Sequence, residues 1–274
     1  MQKRTLAVLF LILLCACTRA PRLPQPPASG LNVIFFDVGQ GDAALLRTED
    51  AAVVFDTGRN GEIAGLLRRE GVTRIDLLVL SHSHADHTGG LAAVIKAFPV
   101  VETWYAGEFK GKVGRALASA GRTERVEAGA NKRIGGLTLT VLHAQPNGGG
   151  RGRGAESDVN NGSLVVKAVY GESRYLFPGD CELGCWEEMF RAGRRELRAD
   201  VLKAAHHGSW NGTNSGVLGN VRPSTVVISV GADNRYGHPH PVVLKLLEKL
   251  GALVFRTDRQ GSIRCRGVQC RAGG

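Results

Sequence analysis

In "SHSHADH", residues 81–87, three histidines and one aspartate fall within six positions. Imidazole and carboxylate are the ligands of zinc, and also of manganese or iron. On extended backbone His82 and His84 face one way, and a turn at Ala85 then redirects Asp86 and His87. One loop can therefore serve two neighbouring divalent ions, zinc or manganese, which are the expected cofactors. Two such ions lower the pKa of a water and stabilise both the attacking and the leaving oxygen of a displacement at phosphorus. Hydrolysis is the reaction this chemistry predicts, with Asp86 placed to orient the water.

The cluster needs strands to hold it. "IDLLVLS", directly before it, is a continuous apolar run and reads as a strand buried on both faces. Upstream, "LNVIFFDVG", "AALLRTED" and "AAVVFDTG" read as an antiparallel meander. "GEIAGLLRREG" has Ile63, Leu66 and Leu67 at helical spacing and a stop at Gly71. Downstream come a helix from Leu91 to Phe98, a strand in "VVETWYAG", a helix near 112–120 and a strand in "GLTLTVLHA". Residues 145–162 form a loop rich in glycine and charge. The second half restarts with "SLVVKAVYG", "SRYLFPGD", a helix over 182–191, "DVLKAAHHGS" and "STVVISVG". It ends with a helix between Pro241 and Gly251 and the strand "LVFRTD". Metal-type residues stand at strand ends in both halves, which predicts two sheets packed face to face between outer helices.

With 43% hydrophobic and 22% charged residues over 274 positions, the composition excludes a disordered chain. The formal charge of +10 favours polyanionic partners, nucleic acid or an anionic envelope surface. At the N-terminus Lys3 and Arg4 precede an apolar run from Leu6 to Leu14, too short to span a bilayer comfortably, which reads as an export signal. Leu14-Cys15-Ala16-Cys17 resembles the bacterial lipobox. On that resemblance Cys17 is acylated and anchors an exported protein to a membrane, facing the periplasm or the cell exterior. A plain signal peptide cut near Ala20 or an uncleaved anchor are the alternatives. The expected organisation is a signal over 1–17, a proline-rich tether over 18–30 and one domain over 31–274. Cys181, Cys185, Cys265 and Cys270 suit disulfides in such a compartment. Local pairs, Cys181 with Cys185 and Cys265 with Cys270, are the expected ones; a second metal site is the rival reading, but no ligand spacing flanks them.

"SHSHADH" resembles the signature of the metallo-β-lactamase fold, as do "FDTG" at 55–58, "PGD" at 178–180 and "LKAAHHGS" at 202–209. "FFDVGQGDAALL", "NNGSLVV", "GDCE" and the stretch over 228–263 narrow the likeness to the hydrolase domain of the ComEC DNA-uptake family, from Leu31 to Ile263. The resemblance implies an α/β fold, the four-layer αββα metallo-β-lactamase sandwich, with a binuclear site at the edge between its sheets. His82 and His84 would hold one ion, Asp86, His87 and His206 the other, and Asp180 would bridge them. Asp56 would support the loop from behind, and His207 would face substrate. The superfamily usually supplies a further histidine to the first ion where this chain has "SDVNNG"; Asn161, Asp158, His143 or water are the candidates for that position. The channel portion of ComEC has no counterpart in the sequence, so conduction of DNA is not expected.

The surroundings suit an anionic oxygen. Ser209, Asn234 and Tyr236 are expected to meet substrate, and a protonated His238 would assist the leaving oxygen. Gln40 and Asp42, in a tight "DVGQGD" turn, are expected beside the metals as substrate groups or as supports for the ligands. The leading expectation is a phosphodiesterase or nuclease acting outside the cytoplasm, with DNA as one target and no protein partner. An envelope phosphodiesterase acting on a phosphocholine or teichoic-type group is one alternative, and a non-catalytic, basic DNA-binding lipoprotein another. A β-lactamase is disfavoured by the histidine that the superfamily pattern would require.

Overall fold

The computed structural model describes residues 30–145, 159–193 and 197–273. The expected signal, Cys17, the tether and Asp158 lie outside these residues. Among the described residues no helix is long and apolar enough to cross a membrane.

Among the described residues fifteen strands form two sheets. The first contains β1 (Asn32–Phe35), β2 (Ala44–Arg47), β3 (Ala52–Phe55), β4 (Leu77–Leu80), β5 (Glu102–Tyr105) and β6 (Arg122–Arg125), closed on the other side by the hairpin β14 (Ile263–Arg266) and β15 (Gln269–Ala272). Its order is β15-β14-β1-β2-β3-β4-β5-β6. The second contains β7 (Asn131–Ile134), β8 (Leu137–His143), β9 (Val165–Tyr170), β10 (Ser173–Phe177), β11 (Val201–Lys203), β12 (Thr225–Ile228) and β13 (Leu253–Arg256), in the order β13-β12-β11-β10-β9-β8-β7. β1 to β3 are the expected antiparallel meander. From β3 to β6, and again from β10 to β13, neighbours run parallel.

Alternation of side chains across each strand builds the layers. Phe35, Leu46, Val53, Phe55 and Val79 of the first sheet meet Leu139, Val166, Tyr175, Phe177 and Val227 of the second in one inter-sheet core. Their sequence neighbours Ile34, Leu45, Val54, Leu78 and Leu80 face outward, onto Ile63, Leu67, Leu91, Val94 and Leu117 of the helices Glu62–Arg69, Leu91–Ala97 and Gly111–Ala118. On the far side Leu176, Leu202, Val226 and Ile228 meet Trp186, Met189, Val217, Leu218, Val243 and Leu247 from the helices Leu183–Arg191, Ser215–Val221 and Pro241–Leu250. The result is the expected four-layer αββα sandwich. Each fully buried Val, Leu or Phe contributes roughly 1.5–3 kcal/mol, so the strands are held firmly and the loops at their ends can adopt unfavourable backbone.

Several elements went unanticipated, among them the helices Ser215–Val221 and Thr257–Gln260. β6 and β7 read "RTER" and "NKRI", with no apolar run to mark them, because each is the polar margin of its sheet. The β14–β15 hairpin is signalled only by its cysteines. Cys265 and Cys270 face each other across it and are bonded. Cys181 and Cys185 form the other disulfide, tying the residue after Asp180 to the helix Leu183–Arg191.

Candidate metal centre

The site lies where the C-terminal ends of the parallel strands in both sheets meet, the edge at which open α/β sheets place their ligands. From the first sheet, Asp56 follows β3 with φ 54°, a left-handed conformation that is uncommon outside glycine. Its Oδ1 accepts from the Ser81 amide at 2.8 Å and its Oδ2 from the Ser81 hydroxyl at 2.7 Å. The same Oδ2 lies 2.8 Å from His87 Nδ1. A carboxylate holding Nδ1–H turns the other ring nitrogen toward the site. Asp86 and His87 sit on a one-turn helix, Ala85–Thr88, anchored because the Thr57 amide and hydroxyl donate to the His87 carbonyl at 2.6 and 3.1 Å. Gly41 lets the 37–42 loop close on this turn. A Cβ there would stand 2.2 Å from the Asp86 carbonyl oxygen, which accepts from the Asp42 amide at 3.1 Å.

From the second sheet come Asp180, after β10, and His206 and His207, after β11. Both histidines have positive φ, 48° and 53°. This paired left-handed turn sends their side chains to different places. His207 is 1% exposed, and its Nδ1–H donates to the Ser229 carbonyl at 2.9 Å. Its Nε2 lies 3.5 Å from Asp86 Oδ2 and 3.5 Å from Asp180 Oδ2. His206 is partly exposed, with Nδ1 3.0 Å from Glu182 Oε1 and Nε2 3.8 Å from Asp180 Oδ2. The grouping of these side chains differs from the expected one. His207, not His206, joins Asp86 and His87 in a set of ligand atoms within 4.8 Å of one another, because the turn carries the second histidine inward and the first toward the mouth.

Asp180 occupies the middle. Its Oδ1 is 3.3 Å from His87 Nε2, and its Oδ2 is 3.8 Å from His82 Nε2. His82, His87 and Asp180 form a second compact set. Buried His87 Nε2, His207 Nε2 and Asp180 Oδ1 have no hydrogen-bond partner among the described residues. Leaving such atoms unsatisfied costs about 1–3 kcal/mol each, and imidazole nitrogens with carboxylate oxygens are a donor set for divalent transition metals. The residues fit metal ions.

The charge balance agrees. Burial outweighs the Asp180 charge at His82, and with His87 alongside it holds that imidazole well below its ordinary range, in the neutral ligand form. Burial is overcome at His87 by Asp180, then Asp56 and Asp42, and at His207 by Asp180 and then Asp42, and both are pushed well above the ordinary range. Asp180 is held well below its ordinary range because His87 and His207 outweigh its burial. Asp86 is lowered too: burial would raise it, but His207, whose Nε2 approaches to 3.5 Å, and His87 prevail. These carboxylates favour positive charge at His87 and His207, which a bound cation would supply in place of protons.

The other expected site residues are distributed as follows. His84 Nδ1 is 3.1 Å from His82 Nε2, but His84 joins none of the compact sets. Asn161 Oδ1 accepts from the Cys185 amide at 2.9 Å. His143 is bound to the Ser163 carbonyl at 2.9 Å and lies 3.2 Å from Glu188. Both are thus committed to the second sheet and its covering helix. Gln40 Oε1 accepts from the Gly231 amide at 3.2 Å, joining two loops. Asp42 is buried and ion-paired with Lys203, behind the ligands, the supporting position of its two expected ones. Burial would raise its carboxyl, but Lys203, then His207 and His87, hold it below the ordinary value. Ser209 is buried and its hydroxyl donates to Asn211. Asn234 shapes its loop, donating to the Gly231 and His238 carbonyls at 2.8 Å and accepting from the His238 amide at 3.0 Å.

Tyr236 is 51% exposed and stacks on His238, their rings 5.9 Å apart, while His238 lies 5.2 Å from the His206 ring. Partial burial, with His206 and His207 nearby, pushes His238 down to about 4. In these surroundings the expected protonated form of His238 is disfavoured at neutral pH. Lys203 and Glu182 are additions. The signal for Lys203 was a lone charge in the apolar run of "DVLKAA".

Residues 36–231 match the model of the metallo-beta-lactamase superfamily, and the chain belongs to that superfamily. It is 29% identical over 286 residues to ComE operon protein 3 of Bacillus subtilis, covering 94% of this chain and 35% of that one. Over 244 residues it is 32% identical to Recombination protein 2 of Haemophilus influenzae, covering 86% of this chain and 29% of that one. The chain thus spans about a third of the length of these curated relatives. Among solved structures it resembles CmlA, a diiron beta-hydroxylase from Streptomyces venezuelae, with TM-score 0.60 and 15% identity over 88% of this chain and 55% of that one. That likeness concerns the fold.

Proposed function

We propose that this chain is a metal-dependent hydrolase that cleaves phosphodiesters, DNA foremost among them. One observation carries the reading: the buried Asp180 carboxylate stands among three imidazoles from two sheets, two of which turn unpaired Nε2 atoms toward it. His82, His87, Asp86, His207 and Asp180 would hold a pair of ions, zinc or manganese. When bound, such ions supply Lewis acidity and a water of lowered pKa.

The protein groups do the rest. Asp56 and the Ser229 carbonyl fix the ring orientations of His87 and His207 from behind. Asp86, less buried than Asp180, is placed to orient an attacking water. At the mouth, His206, His238 and the exposed Tyr236 offer donors and ring faces to a phosphate and its substituents. The relatives' names, a ComE operon protein and a recombination protein, favour DNA as the polymer, and the charge of +10 favours a polyanion.

The test is a panel of single-stranded DNA, a generic aryl phosphodiester, a phosphocholine lipid and a β-lactam, assayed with Mn²⁺ and Zn²⁺. Cleavage of the first two is expected. Cleavage of the lipid alone would move the target to the envelope, and salt-sensitive DNA binding without cleavage would remove the enzyme reading.

We also propose that the protein is exported and held by a lipid on Cys17. The apolar run behind Lys3 and Arg4 and two disulfides, bonds that persist in oxidising compartments, support this. Cys17→Ser should move the protein from the membrane fraction to the soluble one; no change in fractionation would refute the anchor.

A further inference from the structure

Lys203 ends β11 with its side chain 4% exposed, in a position where lysine needs a partner. The partner is Asp42, whose Oδ2 is ion-paired with the ammonium. Asp42 Oδ1 lies 3.3 Å from His207 Nδ1, and Oδ2 lies 3.7 Å from His87 Nδ1. Asp42 also belongs to two further sets whose ligand atoms lie within 4.8 Å of one another, one with Asp56 and His87, the other with Asp180 and His207. Judged by donor type alone, these sets are as good a home for a divalent ion as the two described above. Beside them, between the sheets, is a cavity of ≈ 20 Å³ lined in part by Asp42, Asp56, Ser81, Gly179, Lys203 and Ser229. That is room for about one water-sized guest.

Every set that contains Asp42 therefore has an ammonium at its edge. Like charges a few ångströms apart in poorly solvated surroundings repel strongly, and a carboxylate already neutralised by one cation attracts a second less. We propose that the Lys203 ammonium is a resident cation that occupies the rear of the site, excludes metal ions from the Asp42 sets, and reserves Asp42 to hold the His207 ring. The two front sets, on His82, His87 and Asp180 and on Asp86, His87 and His207, are then the ones left to metal. Lys203 is a positioning residue in this scheme, acting on the ions through Asp42. The inference rests on the metal-centre reading above.

The experiment compares the mature chain with Lys203→Met and with Asp42→Asn/Lys203→Met, which removes both charges. Each is loaded with Mn²⁺ or Co²⁺ and passed through gel filtration; bound metal is counted and the Co²⁺ absorption spectrum recorded. Lys203→Met is expected to retain one more ion per chain than the parent and to show additional or shifted Co²⁺ bands. The double variant should return to the parental count. An unchanged count and spectrum in Lys203→Met overturns the proposal. Should that variant not fold, the double variant decides: a parental ion count supports the proposal, whereas loss of an ion shows Asp42 to be a ligand and overturns it. A parent that binds no divalent ion overturns the metal centre itself, a result read before any variant is compared.

Discussion

Asp180→Asn is expected to lower kcat/KM for a phosphodiester by about 10³-fold or more and to reduce bound metal. The side chain keeps its size, so the packing around it survives, but the charge among His82, His87 and His207 is lost. That charge is the largest of those that together overcome burial at His87 and His207, and its own Oδ1 and Oδ2 are within 3.3–3.8 Å of three imidazole nitrogens. Electrostatic stabilisation by a metal is worth several kcal/mol in a hydrolytic transition state, and each 1.36 kcal/mol is tenfold in rate. Steady-state kinetics with metal analysis of the same preparation checks this. Activity within tenfold of the parent would mean that Asp180 carries no bridging role.

The second large effect separates two adjacent histidines. His207→Ala should cost at least about 10²-fold in activity and release an ion, more than the 10–100-fold usual when a residue merely supporting a ligand is removed. His206→Ala should cost less than about tenfold and leave the metal count unchanged. The contrast follows from the paired left-handed turn at φ 48° and 53°, which buries His207 Nε2 between Asp86 and Asp180 and leaves His206 beside Glu182. Metal analysis of the two variants side by side is the check. If His206→Ala were the one to lose an ion, the assignment suggested by motif resemblance would be right and the geometric one wrong.

That pair also marks how far the residues alone could be read. The layers were legible because alternating apolar residues state which face of a strand is buried, and the site's location because Asp56, His82, Asp180 and His207 all follow such strands. Which of His206 and His207 points inward was not legible, since it depends on two backbone torsions that the pair "HH" does not encode. The same holds for Asp42, whose inward position depends on Lys203, a residue 161 positions away in the sequence. The surroundings of His238 were not legible either: its partial burial, and then His206 and His207 beside it, disfavour the charged form. β6 and β7 escaped because a polar edge strand has no periodic apolar signal.

The most direct measurement is anomalous X-ray scattering from crystals of the chain loaded with Mn²⁺ or Zn²⁺. Two peaks flanking the Asp180 carboxylate are expected, contacted between them by His82, Asp86, His87 and His207. One peak only, or a peak held by His206 while His207 stands apart, would contradict the two-cation centre on which the hydrolytic reading depends.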